Sequence, residues 1–226
     1  MRWSALAPGL VAALVGDLTT RALGIGHTHY PRVAYLALGP VVLLKWAVFA
    51  VAVAATSSLF IELTHGIKHL SEKRLGSLAK RMFVGGLVVV LLWKLTGTNT
   101  YLGLGVPTIV RAFHDPALPN YVFALKLLFT AITIGTGFIG GEVTPLFFVG
   151  ATLGCAFGAF LGLPIELAAA VGMTSLFACA AKTPFAIMFM AVELFGINCL
   201  PHVALVSAIA YVLGGERSIY AAQRAA

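Results

Sequence analysis

The chain is short of charge. Only 10% of its 226 residues are Asp, Glu, Lys or Arg, against roughly 25% in a soluble domain. With 60% hydrophobic residues and a mean hydropathy of +0.97, it is too apolar to be a water-soluble globule. Cysteine is scarce. Cys155, Cys179 and Cys199 lie in apolar runs at no metal-ligand spacing and read as small buried hydrophobes. No low-complexity stretch, fixed-period repeat or linker marks a second domain. No cleavable leader is evident, since Met1-Arg2-Trp3-Ser4 runs straight into an apolar helix that keeps going. No Arg-rich helix supports voltage sensing. The net charge is +7, but the basic residues do not interleave with aromatics on a soluble face. They fit lipid contact and the positive-inside rule, not nucleic acid.

What remains is apolar, helix-forming sequence: an all-α polytopic membrane protein. At about 20 residues per crossing, the length allows roughly six or seven spans plus short half-helices. Pro8 to Leu23 is a first apolar segment interrupted by Asp17, which is read as either structural or functional. The link GIGHTHYPR holds His27, His29 and Tyr30; two loop histidines without a third ligand are polar loop chemistry, not a metal site. Val33 to Leu63 is a long apolar segment containing Pro40 and Lys45, whose ammonium snorkels or faces the bundle interior. THGIKHLSEKRLGSLAKR follows as a short basic loop with Lys68, Lys73, Arg74, Lys80 and Arg81. It is the strongest cytoplasmic marker in the chain. His65 and His69 have zinc-ligand spacing, but nothing completes a site, so a solvated basic face is the better reading.

Met82 to Leu95 is expected to span. TGTNTYLGLGVPTIVRAF is expected to form a short or re-entrant helix, and HDPALPN a turn. Leu167 to Ala180 carries small residues throughout and suits close helix packing. Lys182-Thr183-Pro184 breaks the chain again before a helix containing Glu193, and Pro201 to Leu213 is a last span. Glu193 and Lys126 are expected to be structural partners of each other or of backbone groups.

The organising stretch is Gly135 to Gly154, GTGFIGGEVTPLFFVGATLG. Gly135, Gly137, Gly140 and Gly141 interrupt an apolar run, and Pro145 opens a new one. This predicts a membrane helix that ends at mid-depth and a second that starts there. Such irregular backbone is tolerated only where protein or an aqueous cavity covers it. The new helix presents free N–H groups and a positive dipole end, which suits an anion. Gly140 and Gly141 lack a Cβ and let a small ligand approach closely. Glu142 is the sharpest candidate: an intramembrane carboxylate costs about 2.5–3.5 kcal/mol and can carry a proton. Its bland reading is a helix-start carboxylate bonded to its own N–H groups. Thr144 offers a hydroxyl, Val143 only its backbone N–H, and Tyr220 a phenolic O–H that also suits an interface anchor.

These features together, from about Pro8 to the end, resemble the C-terminal part of a CLC-family anion channel or transporter. A basic helix precedes a Gly-rich short helix. A helix then ends at Gly140-Gly141, small-residue helices follow, Thr183-Pro184 starts a helix with an internal Glu, and Gly214-Gly215 precedes SIYAAQ. Chloride-type members read Gly-x-Phe-x-Pro at the break. Gly141-Glu142-Val143-Thr144-Pro145 departs from that pattern and resembles the fluoride/proton antiporter branch. The resemblance implies an inverted-repeat fold, represented mainly by its second repeat with broken and re-entrant helices. The whole of 1–226 is then one partial transmembrane domain, the first repeat being largely absent. It implies fluoride or chloride as ligand, held by Gly141, Glu142, Val143, Thr144 and Tyr220, with Glu142 coupling protons, and Gly140 and Pro145 shaping the break. It also implies a homodimer in the lipid bilayer, multi-pass and in a bacterial inner membrane, without cofactor or metal.

The family's first-half serine-type loop and Gly-x-Glu-Gly-Pro stretch have no match here. The alternative is therefore a truncated or split-gene subunit that dimerises or pairs with a separately encoded first half and does not transport alone. An intramembrane enzyme is set aside, because no nucleophile–base pair or complete metal site is present.

Overall fold

The computed structural model describes residues 6–26 and 28–220. Among them are nine α-helices and no strand. His27 lies outside the described residues. The chain divides into two compact units, residues 1–30 and 31–226. The first holds α1 (Leu6–Ala22), in which Asp17 pairs with Arg21 one turn on, Oδ2 to Nε 2.9 Å, so the carboxylate in this apolar helix has a local partner.

In the second unit, residues 31–39 are not helical, and α2 starts at Pro40 and runs to Leu75. Proline lacks an N–H and is favoured at a helix start, so it divides the segment that reads as continuous in sequence. The non-helical piece is held by Val33 N–H to Phe195 O at 3.1 Å and by Asn198 Nδ2 to Val33 O at 3.2 Å. The expected basic loop is mostly helix. Its Lys, Glu and Arg residues are good helix formers. The chain turns only at Gly76 and at Ser77, whose Oγ accepts the Lys80 N–H at 3.5 Å and caps α3 (Leu78–Thr96).

The short helix α4 (Val106–His114) and the turn after it lead to α5 (Val122–Gly135). In that turn Asp115 lies 2.7 Å from Arg111, and this pairing holds its carboxyl below the usual range. Next come α6 (Val143–Leu161), α7 (Ile165–Ala181) and α8 (Pro184–Phe195); a 3₁₀ turn at Ile197–Cys199 then leads into α9 (Leu200–Leu213). Among the described residues only α2 and α6 are long and apolar enough to cross a bilayer by length and composition, fewer than the overall composition suggests: α3 has 19 residues but carries Lys80, Arg81 and Lys94, and the shorter apolar helices have 12 to 17 residues. At 1.5 Å per residue α2 is roughly 54 Å long, well beyond a hydrocarbon core of about 30 Å.

The core centres on α6 and α7, where glycine lets two backbones touch. A Cβ on Gly172 would overlap the Gly150 carbonyl, and one on Gly154 would overlap the Ala168 carbonyl. All three cysteines are free and buried, with Sγ directed at backbone carbonyls: Cys155 at Asp115, Cys179 at Ala210 and Cys199 at Ala191. Lys45 bonds the Gly162 carbonyl at 3.2 Å, at the end of α6. Lys126, 2% exposed, bonds the carbonyls of Tyr101 (3.0 Å) and Gly103 (2.6 Å) and lies over the Phe148 ring. Its partners are thus backbone groups, and it pins the Gly-rich loop before α4. Lys126→Met orphans two carbonyls at a cost of about 1–3 kcal/mol each. A fall in detergent melting temperature is expected; an unchanged melt would contradict the pinning role.

Candidate anion site

The break is built by the way α5 stops. The Thr136 hydroxyl donates to Ile132 O at 2.8 Å, competing with the helix for its last carbonyls. Gly137 then takes φ +101°, a conformation that side chains rarely adopt, and a Cβ there would lie 2.6 Å from Leu78 Cδ1. Phe138 to Gly141 carry no regular structure, and Ile139, Gly140 and Gly141 are exposed. Nothing lies within 4 Å of a Cβ built on Gly140 or Gly141, so both face open space.

Glu142 precedes the first residue of α6, and its side chain makes no capping hydrogen bond. Its carbonyl accepts the Leu146 N–H at 3.1 Å and closes the first turn. The first N–H groups of a helix have no intrahelical acceptor, and Val143 and Thr144 supply them here. Val143 and Thr144 are half-buried and Pro145 is buried.

Residues of the break line two cavities. One, of about 330 Å³, is lined by Glu142 together with Thr64, His65 and Lys68 of α2, Arg81 of α3, and Ile219. The other, of about 280 Å³, is lined by Gly140, Gly141 and Pro145 with Lys126, Thr130 and Thr133 of α5. Ile134 borders both. Each cavity thus combines the break with a cationic side chain, an arrangement that favours anions.

The C-terminal segment reaches the first cavity through Ile219, whose N–H donates to Ala180 O at 3.0 Å. Arg217 pairs with Glu62 of α2 and ties the segment down. Tyr220 is next in sequence, 42% exposed, with its N–H on Ser218 Oγ at 3.2 Å. Its ring is not among the lining residues, so Ile219, not Tyr220, shares the wall with Glu142. Sequence reading assigned His65 and Lys68 to a solvated face. They are exposed, yet they also stand at this cavity. It gives Thr64 no role and reads Arg81 only as part of the basic cytoplasmic loop. The one signal was spacing: Thr64, Lys68 and Ser71 recur at helical intervals, on one side of a continuous helix.

The family model described as "Voltage gated chloride channel" matches residues 1–215. The chain belongs to the voltage-gated chloride channel (CLC) family. It is accordingly an all-helical membrane protein of the CLC fold. It is similar to the "Chloride/fluoride channel protein" of Pseudomonas syringae pv. tomato (strain ATCC BAA-871 / DC3000), 41% identical over 99% of this chain and 51% of that protein. It is also similar to the "Putative ion-transport protein YfeO" of Salmonella schwarzengrund (strain CVM19633), 26% identical over 98% of this chain and 55% of the relative. Among solved structures, the crystal structure of a CLC-type fluoride/proton antiporter superposes with a TM-score of 0.93 at 35% identity, covering 98% of this chain and 56% of the other. The CLC chain described here thus spans about half the length of the relatives it matches.

Proposed function

We propose that this chain supplies the anion-binding break of a CLC-type fluoride transporter that exchanges fluoride for protons across the membrane. The observation that carries the reading is Glu142: a carboxylate at a helix start, uncapped by its own side chain, on the wall of a cavity with Lys68 and Arg81. Support comes from the names of the two relatives that refer to fluoride. Fluoride is small and tightly hydrated, so a site must replace its water with several strong donors. The N–H groups of Val143 and Thr144 and the Thr144 hydroxyl are those donors, with Gly140, Gly141 and Pro145 shaping the backbone that presents them. The Tyr220 hydroxyl, one residue beyond Ile219 on the cavity wall, is the further donor that the family resemblance assigns, and it would have to turn inward to serve. Glu142 carries the proton.

The protein lies as a multi-pass homodimer in a bacterial inner membrane, the basic end of α2 and the start of α3 in the cytoplasm. Residues 1–226 act as one transmembrane domain, most of it the second repeat of the family fold. The comparisons do not favour the alternative, a truncated or split-gene subunit that dimerises or pairs with a first half and does not transport alone. No cofactor is invoked.

Fluoride efflux from protein-containing vesicles, read with a fluoride-selective electrode, tests this. Loss of fluoride above protein-free vesicles is expected, and its absence from vesicles holding folded protein would contradict the proposal. Tyr220→Phe removes one donor to a charged ligand, worth about 1.5–3 kcal/mol, and is expected to slow efflux roughly tenfold or more. Wild-type efflux from that variant would remove Tyr220 from the site.

A further inference from the structure

The cavity beside Glu142 holds donors that the protein itself leaves unused. The Nε–H of Arg81 and the hydroxyl of Thr64 are both buried, neither has a hydrogen-bond partner, and both residues line this cavity. Thr64 is 7% exposed and the Arg81 side chain 12%. Orphaned buried donors are costly and rare in native proteins, and an unfilled ligand position is one of the few explanations for them. They come from different helices, α2 and α3, so the pair is a product of the fold.

The guanidinium is held in place without being satisfied. Arg81 Nη1 pairs with Glu72 at 3.3 Å, which fixes the plane of the group and leaves Nε unengaged. Its Nη2 lies 3.3 Å from where a Cβ would stand on Gly137, the left-handed residue of the break. The lining carries two cations, Lys68 and Arg81, with His65 and one carboxylate, Glu142. Arg81 also has Glu72, outside the lining, as its partner, which leaves Lys68 as the lining cation without an ion pair among the described residues. A volume of about 330 Å³ admits far more than a single water, whose share of liquid volume is about 30 Å³. The ligand that fits is small, accepts hydrogen bonds and is negatively charged.

We propose that this cavity is a holding site for a small inorganic anion. There the Arg81 Nε–H and the Thr64 hydroxyl take the ion before it meets the N–H groups at Val143. Its place on a transport route rests on the fluoride reading above; the site itself does not. The route runs from the exposed Lys68, inward to Thr64 and Arg81, and on to the break.

The test is calorimetric titration of the purified protein with sodium fluoride, against sodium gluconate at equal ionic strength, with efflux measured on the same preparations. Thr64→Val keeps the shape and removes the hydroxyl. It is expected to weaken fluoride binding about tenfold, the loss typical of one hydrogen bond to a charged group. It is also expected to raise the half-saturating fluoride concentration for efflux while leaving the maximal rate in place. Thr64→Ser should restore binding, and Arg81→Lys, which keeps the charge but lacks a fixed Nε–H, should weaken it as Thr64→Val does. Equal binding by Thr64→Val and wild type, or no fluoride binding by the wild type, would overturn the site. Thr64-dependent binding without efflux would overturn the transport reading and leave the site standing. Efflux with Thr64-independent binding would do the reverse.

Discussion

Glu142→Gln is expected to slow fluoride efflux roughly tenfold or more and to flatten its dependence on pH. Glutamine matches the shape of a protonated glutamate but cannot give up or take a proton. The loss follows from how the carboxylate is placed. Its side chain makes no cap hydrogen bond, so removing its charge should not unfold the start of α6. It shares the cavity lining with Lys68 and Arg81, so its ionised form and a bound anion draw on the same cations. A charge-assisted contact of this kind is worth about 1.5–3 kcal/mol, which sets the expected size of the effect. His65 lines the same cavity, and its imidazole is the other side chain there that can exchange a proton, so it is the alternative source of pH dependence. His65→Gln is therefore the control: its profile should follow the wild type. A sloping profile in Glu142→Gln that becomes flat in His65→Gln would transfer the role to the histidine.

The second large effect is structural. Gly172→Val should leave little monodisperse protein after detergent extraction. A Cβ there would overlap the Gly150 carbonyl and lie 3.0 Å from Gly154 Cα, and both are backbone atoms that cannot rotate away. Helix association inside a bilayer depends on such close packing, because lipid is as apolar as the side chains. Separating α6 from α7 also displaces Val143 and Thr144, since they begin the helix that Gly150 and Gly154 anchor. The expected cost is about 3 kcal/mol or more, the upper part of the range for overpacked cores. Gly86→Ala on α3 is the contrast. Only Phe138 Cζ comes near, at 3.7 Å, and that variant should purify as the wild type does. Similar yields and melting temperatures for the two would contradict the packing argument.

The site was partly legible in the sequence, and the division has physical causes. The break announced itself because four glycines and a proline inside an apolar run have few other uses, and the structure places α5 and α6 on either side of it. Pro184 marked the start of α8 for the same reason. The end of α2 was misread because His65 to Leu75 has the polarity of a loop, while its Lys, Glu and Arg residues have the propensity of a helix. Lys126 had two readings open. The backbone one holds, through the carbonyls of Tyr101 and Gly103, acceptors that every residue carries and that no sequence pattern advertises. Thr64 and Arg81 were invisible for a different reason. Neither is unusual on its own helix, and only the packing of α2, α3 and the break around one cavity gives them a shared role.

The most direct test of fluoride–proton exchange at this break is proton movement driven by a fluoride gradient. Vesicles holding the protein are loaded with sodium fluoride and diluted into gluconate at equal pH, while a fluoride electrode and a pH electrode record the outer solution together. Fluoride leaving the vesicles should draw protons inward and make the outer solution more alkaline, beyond what protein-free vesicles show, and Glu142→Gln should abolish that alkalinisation. Fluoride efflux at a constant external pH would contradict exchange and leave a pore in which Glu142 carries no proton.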